Sequence, residues 1–252
     1  MMTRTRLLLW PALVAVLLVL GMGGTALGRT AAAPVSTAAA SPGCGKAPTL
    51  TSGTYTIQSG GKNRSFILRI PDGYDRNRAY RLIFGFHWLG GTSTDVSTGR
   101  TVETGTWAYY GLQRLADNSA IFVAPQGLNN GWANSGGGTQ PIAYLGVHGL
   151  RDSVLGISGG RAMRDTFVRN NGCTPQNPPE PEGSLTHRVT TYSGCSAGHP
   201  VAWAAFDEGH IAAPQDGAPG DSGRTWLPGE VWKFFTQFQA SDPSPSARGT
   251  AV

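Results

Sequence analysis

Three short stretches of this 252-residue chain carry residues that could do chemistry together. Gly156-Ile157-Ser158-Gly159-Gly160 is a formal match to the G-x-S-x-G pattern, in which a serine hydroxyl stands on a sharp strand-to-helix turn, ready for nucleophilic attack. "HGLRD" ends in Asp152 and "DEGH" ends in His210, an acid and an imidazole of the types that general acid–base chemistry uses. "HWLGG", His87 to Gly91, is a Gly-rich turn. The five histidines show no metal-ligand spacing, so no metal and no cofactor are expected.

The elements that must position these residues are apolar runs. "YRLIFGFH" (Tyr80 to His87), "SAIFVAPQG" and "QPIAYLGVHG" read as buried strands, the last one running from Pro141 to Val147. "HRVTTYSG" and "PVAWAAFDEGH" are strand-like, and "GTYTIQ" with "RSFILRIP" forms a hairpin around Ser59-Gly60-Gly61-Lys62. Helical spacing is found at Trp107, Tyr110, Leu112 and Leu115, through "SGGRAMRDTFVRNNG", and at Val231, Phe235 and Phe238 behind Pro228. Strands alternating with helices predict an α/β fold with a mostly parallel sheet and flanking helices. In such sheets ligands sit beyond the carboxyl ends of strands, which is where "HWLGG", Asp152 and His210 fall.

An acid and then a histidine after two late strands, with a His-Gly-rich turn after an early one, is the layout of an α/β-hydrolase. In detail the chain resembles the secreted feruloyl esterase and polyhydroxybutyrate depolymerase-like carbohydrate esterases. The matching pieces are "SGGKNRSFILRIPDGYD", "LIFGFHWLGG", "VAPQGLNNGWAN", "VHGLRDSVL" and "FDEGHIAAP", in the family's order and over most of the chain. The resemblance implies Asp152 as triad acid, His210 as general base and Leu89 as an oxyanion-hole backbone donor. It implies hydrolysis of feruloyl esters of plant cell-wall polysaccharide, by a monomer, with polyhydroxyalkanoate or acetylxylan esters as alternatives. From another class, Trp88, Trp107 and Trp132 could be the sugar-stacking surface of a non-catalytic carbohydrate-binding relic. His148 is read as shaping the strand-end turn, whereas His187 and His199 carry no signal.

The family's order places the serine before the acid. Between the strand ending near Ala124 and the one starting near Pro141 the only serine is Ser135, with no strand before it and three glycines after it. Ser158 follows Asp152, and only Val154 and Leu155 precede Gly156 as strand residues, so it reads as a helix N-cap. The expectation is therefore an α/β-hydrolase-like domain lacking a central strand-elbow-helix unit near Ser135–Gly138, and lacking turnover with it. The short mature chain and an unpartnered Cys44 agree.

Composition sets the address. Arg4 and Arg6, an apolar run from Leu7 to Leu20 and small residues up to Gly28 are laid out as a secretory signal peptide over 1–28, too short for a stable membrane anchor, which needs about 20 apolar residues. Its loss lowers the formal charge of +5 to about +3 and leaves no basic cluster, which excludes nucleic-acid binding. An Ala/Ser/Pro linker over 29–43 precedes a domain over 44–240 and a Pro/Ser tail over 241–252. In an oxidising compartment Cys173 and Cys195 pair across a Pro-rich loop, a closure worth about 3 kcal/mol, and Cys44 stays free.

Overall fold

The computed structural model describes residues 42–132 and 140–238. The expected leader over 1–28, residues 29–41 of the linker, Ser135 and the 135–138 junction, and the 241–252 tail lie outside the described residues.

Strands β1 (Gly53–Ser59) and β2 (Lys62–Arg69) form the expected hairpin. Its two-residue turn, Gly60-Gly61, has φ of 59° and 70°, the left-handed pair that a tight hairpin needs and that glycine adopts without strain. β2 pairs antiparallel with β4 (Ala120–Pro125), which pairs parallel with β3 (Arg81–Phe84), giving a first sheet in the order β1-β2-β4-β3. A second sheet has the order β5-β7-β6, with β5 (Tyr144–Gly149) parallel to β7 (Val201–Phe206) and β6 (His187–Thr191) antiparallel to it. Helices α1 (Ser93–Thr98), α2 (Leu112–Ala116), α3 (Ile157–Asn170) and α4 (Leu227–Thr236) flank the sheets. Each sheet has its own core, one around Phe122, Tyr109 and Val96, the other around Trp203, Phe167 and Val201. Cys173 and Cys195 are disulfide-bonded, and Cys44 is exposed and free.

The α/β composition stands, but four expectations are corrected. The sheets are mixed, not mostly parallel, because the two-residue turn and the short Tyr192–Pro200 connection leave no room for the crossover that parallel pairing requires. β3 is not a buried central strand: Leu82, Phe84 and Phe86 are 58%, 51% and 53% exposed, while only the alternate face, Ile83 and His87, is covered. The helix expected from Trp107 begins only at Leu112, since Tyr109, Tyr110 and Gly111 are all left-handed at φ of 50°, 58° and 78°. Ser158 is not a helix cap; Gly156 occupies that position and Ser158 lies exposed inside the first turn of α3.

Candidate active site

Asp152 and His210 hang on the ends of the neighbouring parallel strands β5 and β7. Pairing continues past the strand ends, with Leu150 N–H donating to the Phe206 carbonyl at 2.8 Å and Arg151 N–H to the Glu208 carbonyl at 2.9 Å. Gly149 makes this approach possible, for a Cβ there would lie 2.4 Å from the Gly209 oxygen and 2.6 Å from the Glu208 oxygen. The two turns thereby meet, and His210 Nδ1 lies 2.8 Å from Asp152 Oδ2. A carboxylate only accepts, so Nδ1 carries the proton and Nε2 of the neutral ring is left as an acceptor. The Asp152 side chain is 7% exposed and that of His210 51%.

Asp152 is held on its other side as well. Its Oδ1 accepts the N–H groups of Val154 and Leu155, both at 2.8 Å, which curls the chain back under the carboxylate. Burial pushes the Asp152 carboxyl up, but the His210 hydrogen bond, those two backbone donors and the attraction of a charged His210 outweigh it and hold the group below the ordinary carboxylate range. His148 Nε2 donates to the Leu155 carbonyl at 2.6 Å and lies 3.6 Å from Asp152 Oδ2, so its ring braces the same turn. Gly160 of α3 gives that ring its place, since a Cβ would sit 2.4 Å from His148 Nδ1.

Sequence reasoning passed over a further support. Asp207, 1% exposed, accepts the Leu185 N–H at 2.9 Å, and Arg151 Nη2 donates to the Asp207 carbonyl at 2.6 Å. It was legible only as the first letter of "DEGH". A second imidazole–carboxylate pair, His187 Nδ1 to Asp216 at 2.9 Å with the His187 ring flat against Trp226 at 3.9 Å, pins the loop before α4 to β6.

Leu89 is 85% exposed in the turn after β3. His87 fixes that turn: its Nε2 accepts the Gly127 N–H at 2.9 Å, so its Nδ1 donates to the Trp88 carbonyl at 2.7 Å, and Trp132 Nε1 donates to the His87 carbonyl at 2.7 Å. Among the described residues the Leu89 N–H has no acceptor, and no hydrogen bond joins this turn to Asp152 or His210. Ser158 likewise makes no hydrogen bond to His210 among the described residues. Trp88 and Trp132 are 40% and 38% exposed, but Trp107 is 4% exposed and belongs to the core, so it is no stacking surface. A cavity of about 920 Å³ lies on the first sheet between Phe66, Phe84, Val123 and Trp132, and neither Asp152 nor His210 lines it.

No protein-family model matches the chain. It is 37% identical to a probable feruloyl esterase C of Aspergillus terreus over 265 positions, 80% of this chain and 93% of that protein. It is 37% identical to feruloyl esterase C of Emericella nidulans, over 77% of this chain and 90% of that protein, and 33% identical to feruloyl esterase D of Neurospora crassa, over 81% and 92%. An alignment of 265 positions that takes in 80% of a 252-residue chain leaves about 60 positions of the Aspergillus protein with no counterpart here. At this identity and coverage the chain belongs to the feruloyl esterase family.

Proposed function

We propose that the chain is a secreted, α/β-hydrolase-type member of that family whose reaction is hydrolysis of feruloyl esters of plant cell-wall polysaccharide. In this reading Asp152 and His210 are its acid and general base, and the nucleophile segment is absent. The observation that carries the reading is the 2.8 Å Asp152–His210 pair, with its exposed Nε2 free of any serine among the described residues. In the full reaction the base takes the nucleophile's proton and returns one to the leaving alcohol, while the acid fixes the tautomer and stabilises the charged ring. Asp152 is suited to that task, since its supports keep it ionised and aimed at Nδ1. Leu89 is assigned to the oxyanion hole on the strength of its N–H, unpaired among the described residues, and of the hydrogen-bonded turn that presents it.

Without a hydroxyl at Nε2 the pair can draw a proton only from water, so no acyl-enzyme forms. The about 60 positions without a counterpart, and the edges of β3 and β5 that are unpaired among the described residues, support an internal loss. The test is ferulate release from methyl ferulate, followed from the first turnover onward. The expected result is no burst and at most a trace steady rate; a burst matching the protein concentration would overturn the assignment.

A further inference from the structure

One face of the first sheet is covered and the other is open. Ile83, Phe122 and Ala124 are buried against α1, α2 and α4, whereas Ile57, Leu82 and Phe84 are each more than half exposed. Side chains alternate along a strand, and the register sets Ile57 opposite Arg64, Phe66 opposite Pro125 and Phe84 opposite Val123, so these residues share the open face. They line the cavity of about 920 Å³, a volume of the order found in small-molecule pockets, about 300–1,000 Å³. One end of it is aromatic: Phe84 stacks on Phe86 at 6.4 Å, Phe86 meets Trp132 edge-on at 5.0 Å, and the Trp132 N–H is spent on the His87 carbonyl. Gln126 lines the cavity with its amide already spent, Oε1 accepting the Ser93 N–H and Nε2 donating to the Gly127 carbonyl. The other end holds Arg64, with Ser59 diagonally across the hairpin. Among the described residues Arg64 is the only charged group lining the cavity, and it joins no ion pair.

We propose that this cavity binds an elongated aryl carboxylate, its rings on the wall of Phe66, Phe84 and Trp132 and its carboxylate on the Arg64 guanidinium. A guanidinium fork matches a carboxylate in geometry as well as in charge. The length follows from the register. Leu68, four residues after Arg64, pairs with Val123, which pairs with Phe84. Two strand spacings of about 4.8 Å and four residues at about 3.3 Å then put the cation and the aromatic end about 16 Å apart along the sheet. A small inorganic anion would leave the aromatic wall bare, and a neutral hydrocarbon would leave the guanidinium without a counter-ion. A second copy of the chain, docked face to face, would bring apolar surface but no acid for Arg64, since the lining is the same. The site uses neither Asp152 nor His210, so it does not depend on the esterase reading.

The experiment is calorimetric titration of the full chain with three probes of one shape: biphenyl-4-carboxylate, the neutral biphenyl-4-methanol and the cationic 4-phenylbenzylammonium. Saturable one-to-one binding of the acid is expected, with the alcohol at least about tenfold weaker and the ammonium weaker still. This ranking is read on the parent and needs no variant. Arg64→Gln brings the acid down to the alcohol, and Arg64→Lys keeps part of the preference. Phe84→Ser weakens acid and alcohol alike, and Arg188→Gln, which removes the same charge from β6 of the second sheet, changes neither. Thermal unfolding of each variant shows that the fold survives. Absence of saturation at about 1 mM acid, an acid no tighter than the alcohol or the ammonium, a preference that survives Arg64→Gln or vanishes in Arg188→Gln, or a stable dimer that excludes the acid would each overturn the proposal. Ester turnover by the chain would remove the functional reading above and leave this result standing.

Discussion

Gly149→Ala is the sharpest test of how the site is assembled. The added Cβ would meet two backbone oxygens, of Gly209 at 2.4 Å and Glu208 at 2.6 Å, whereas real Cβ contacts essentially never fall under 3.0 Å. Neither oxygen belongs to a side chain that could swing away, so the turn carrying His210 must retreat by about 0.6 Å or more. That retreat pulls on the Leu150–Phe206 and Arg151–Glu208 hydrogen bonds and stretches the 2.8 Å Asp152–His210 contact. Overpacking of this kind costs about 1–3 kcal/mol, and each weakened hydrogen bond about 1 kcal/mol more. A loss of about 3 kcal/mol lowers the Tm of a domain this size by about 6–12 °C. Thermal unfolding followed by circular dichroism measures it. Gly159→Ala is the control, since a Cβ there meets nothing within 4 Å and alanine in a helix is favoured over glycine by about 0.5–1 kcal/mol. Equal Tm values for Gly149→Ala and the parent would refute the claim that this glycine holds the two turns together.

Three further outcomes follow from the same contacts. Ser158→Ala changes stability by no more than about 0.5 kcal/mol in urea unfolding, because the serine is exposed and Gly156 holds the cap; a loss of 1 kcal/mol or more would restore the capping role. The Asp152 pKa is depressed in the fold, so its contribution is present above the unfolded value of about 3.9 and disappears as pH falls through the folded one. Asp152→Asn keeps an acceptor for Val154 and Leu155 but loses the charge, so Tm against pH should show a flatter acid limb, and an unchanged limb would contradict the assignment. Burial pushes Tyr109 and Tyr110 up to about 12, against about 10 in the unfolded chain, so stability is full below pH 10 and declines above it, with phenolate absorbance rising late and together with unfolding.

What could be read from the sequence was local. Gly60-Gly61 marked its hairpin because the turn's dihedrals demand that residue type, and the apolar face of α4 declared itself by spacing. Asp152 and His210 could be singled out because each lies a few residues past an apolar run, and strand ends are where a sheet delivers side chains. The failures are non-local. An apolar run looks the same whether it has one neighbour or two, so "YRLIFGFH" could not announce that β3 is an edge. Tyr109 and Tyr110 follow helical spacing in the chain, yet packing against Phe122 and a hydrogen bond to Phe86 hold them left-handed. Ser158 outranks glycine as a cap by propensity, but the turn made by Asp152 with Val154 and Leu155 puts Gly156 at that position. The supporting roles of Asp207 and Asp216 depend on partners 22 and 29 residues away, beyond any spacing rule.

The central claim is an acid–base pair without its nucleophile, and covalent labelling reads it most directly. The intact protein is incubated with a fluorophosphonate ester and its mass measured. The account predicts an unchanged mass, in the parent and in Ser158→Ala alike. A single adduct that maps to Ser158 and vanishes in Ser158→Ala would contradict it, and would make the Gly156–Gly160 stretch a working nucleophile turn.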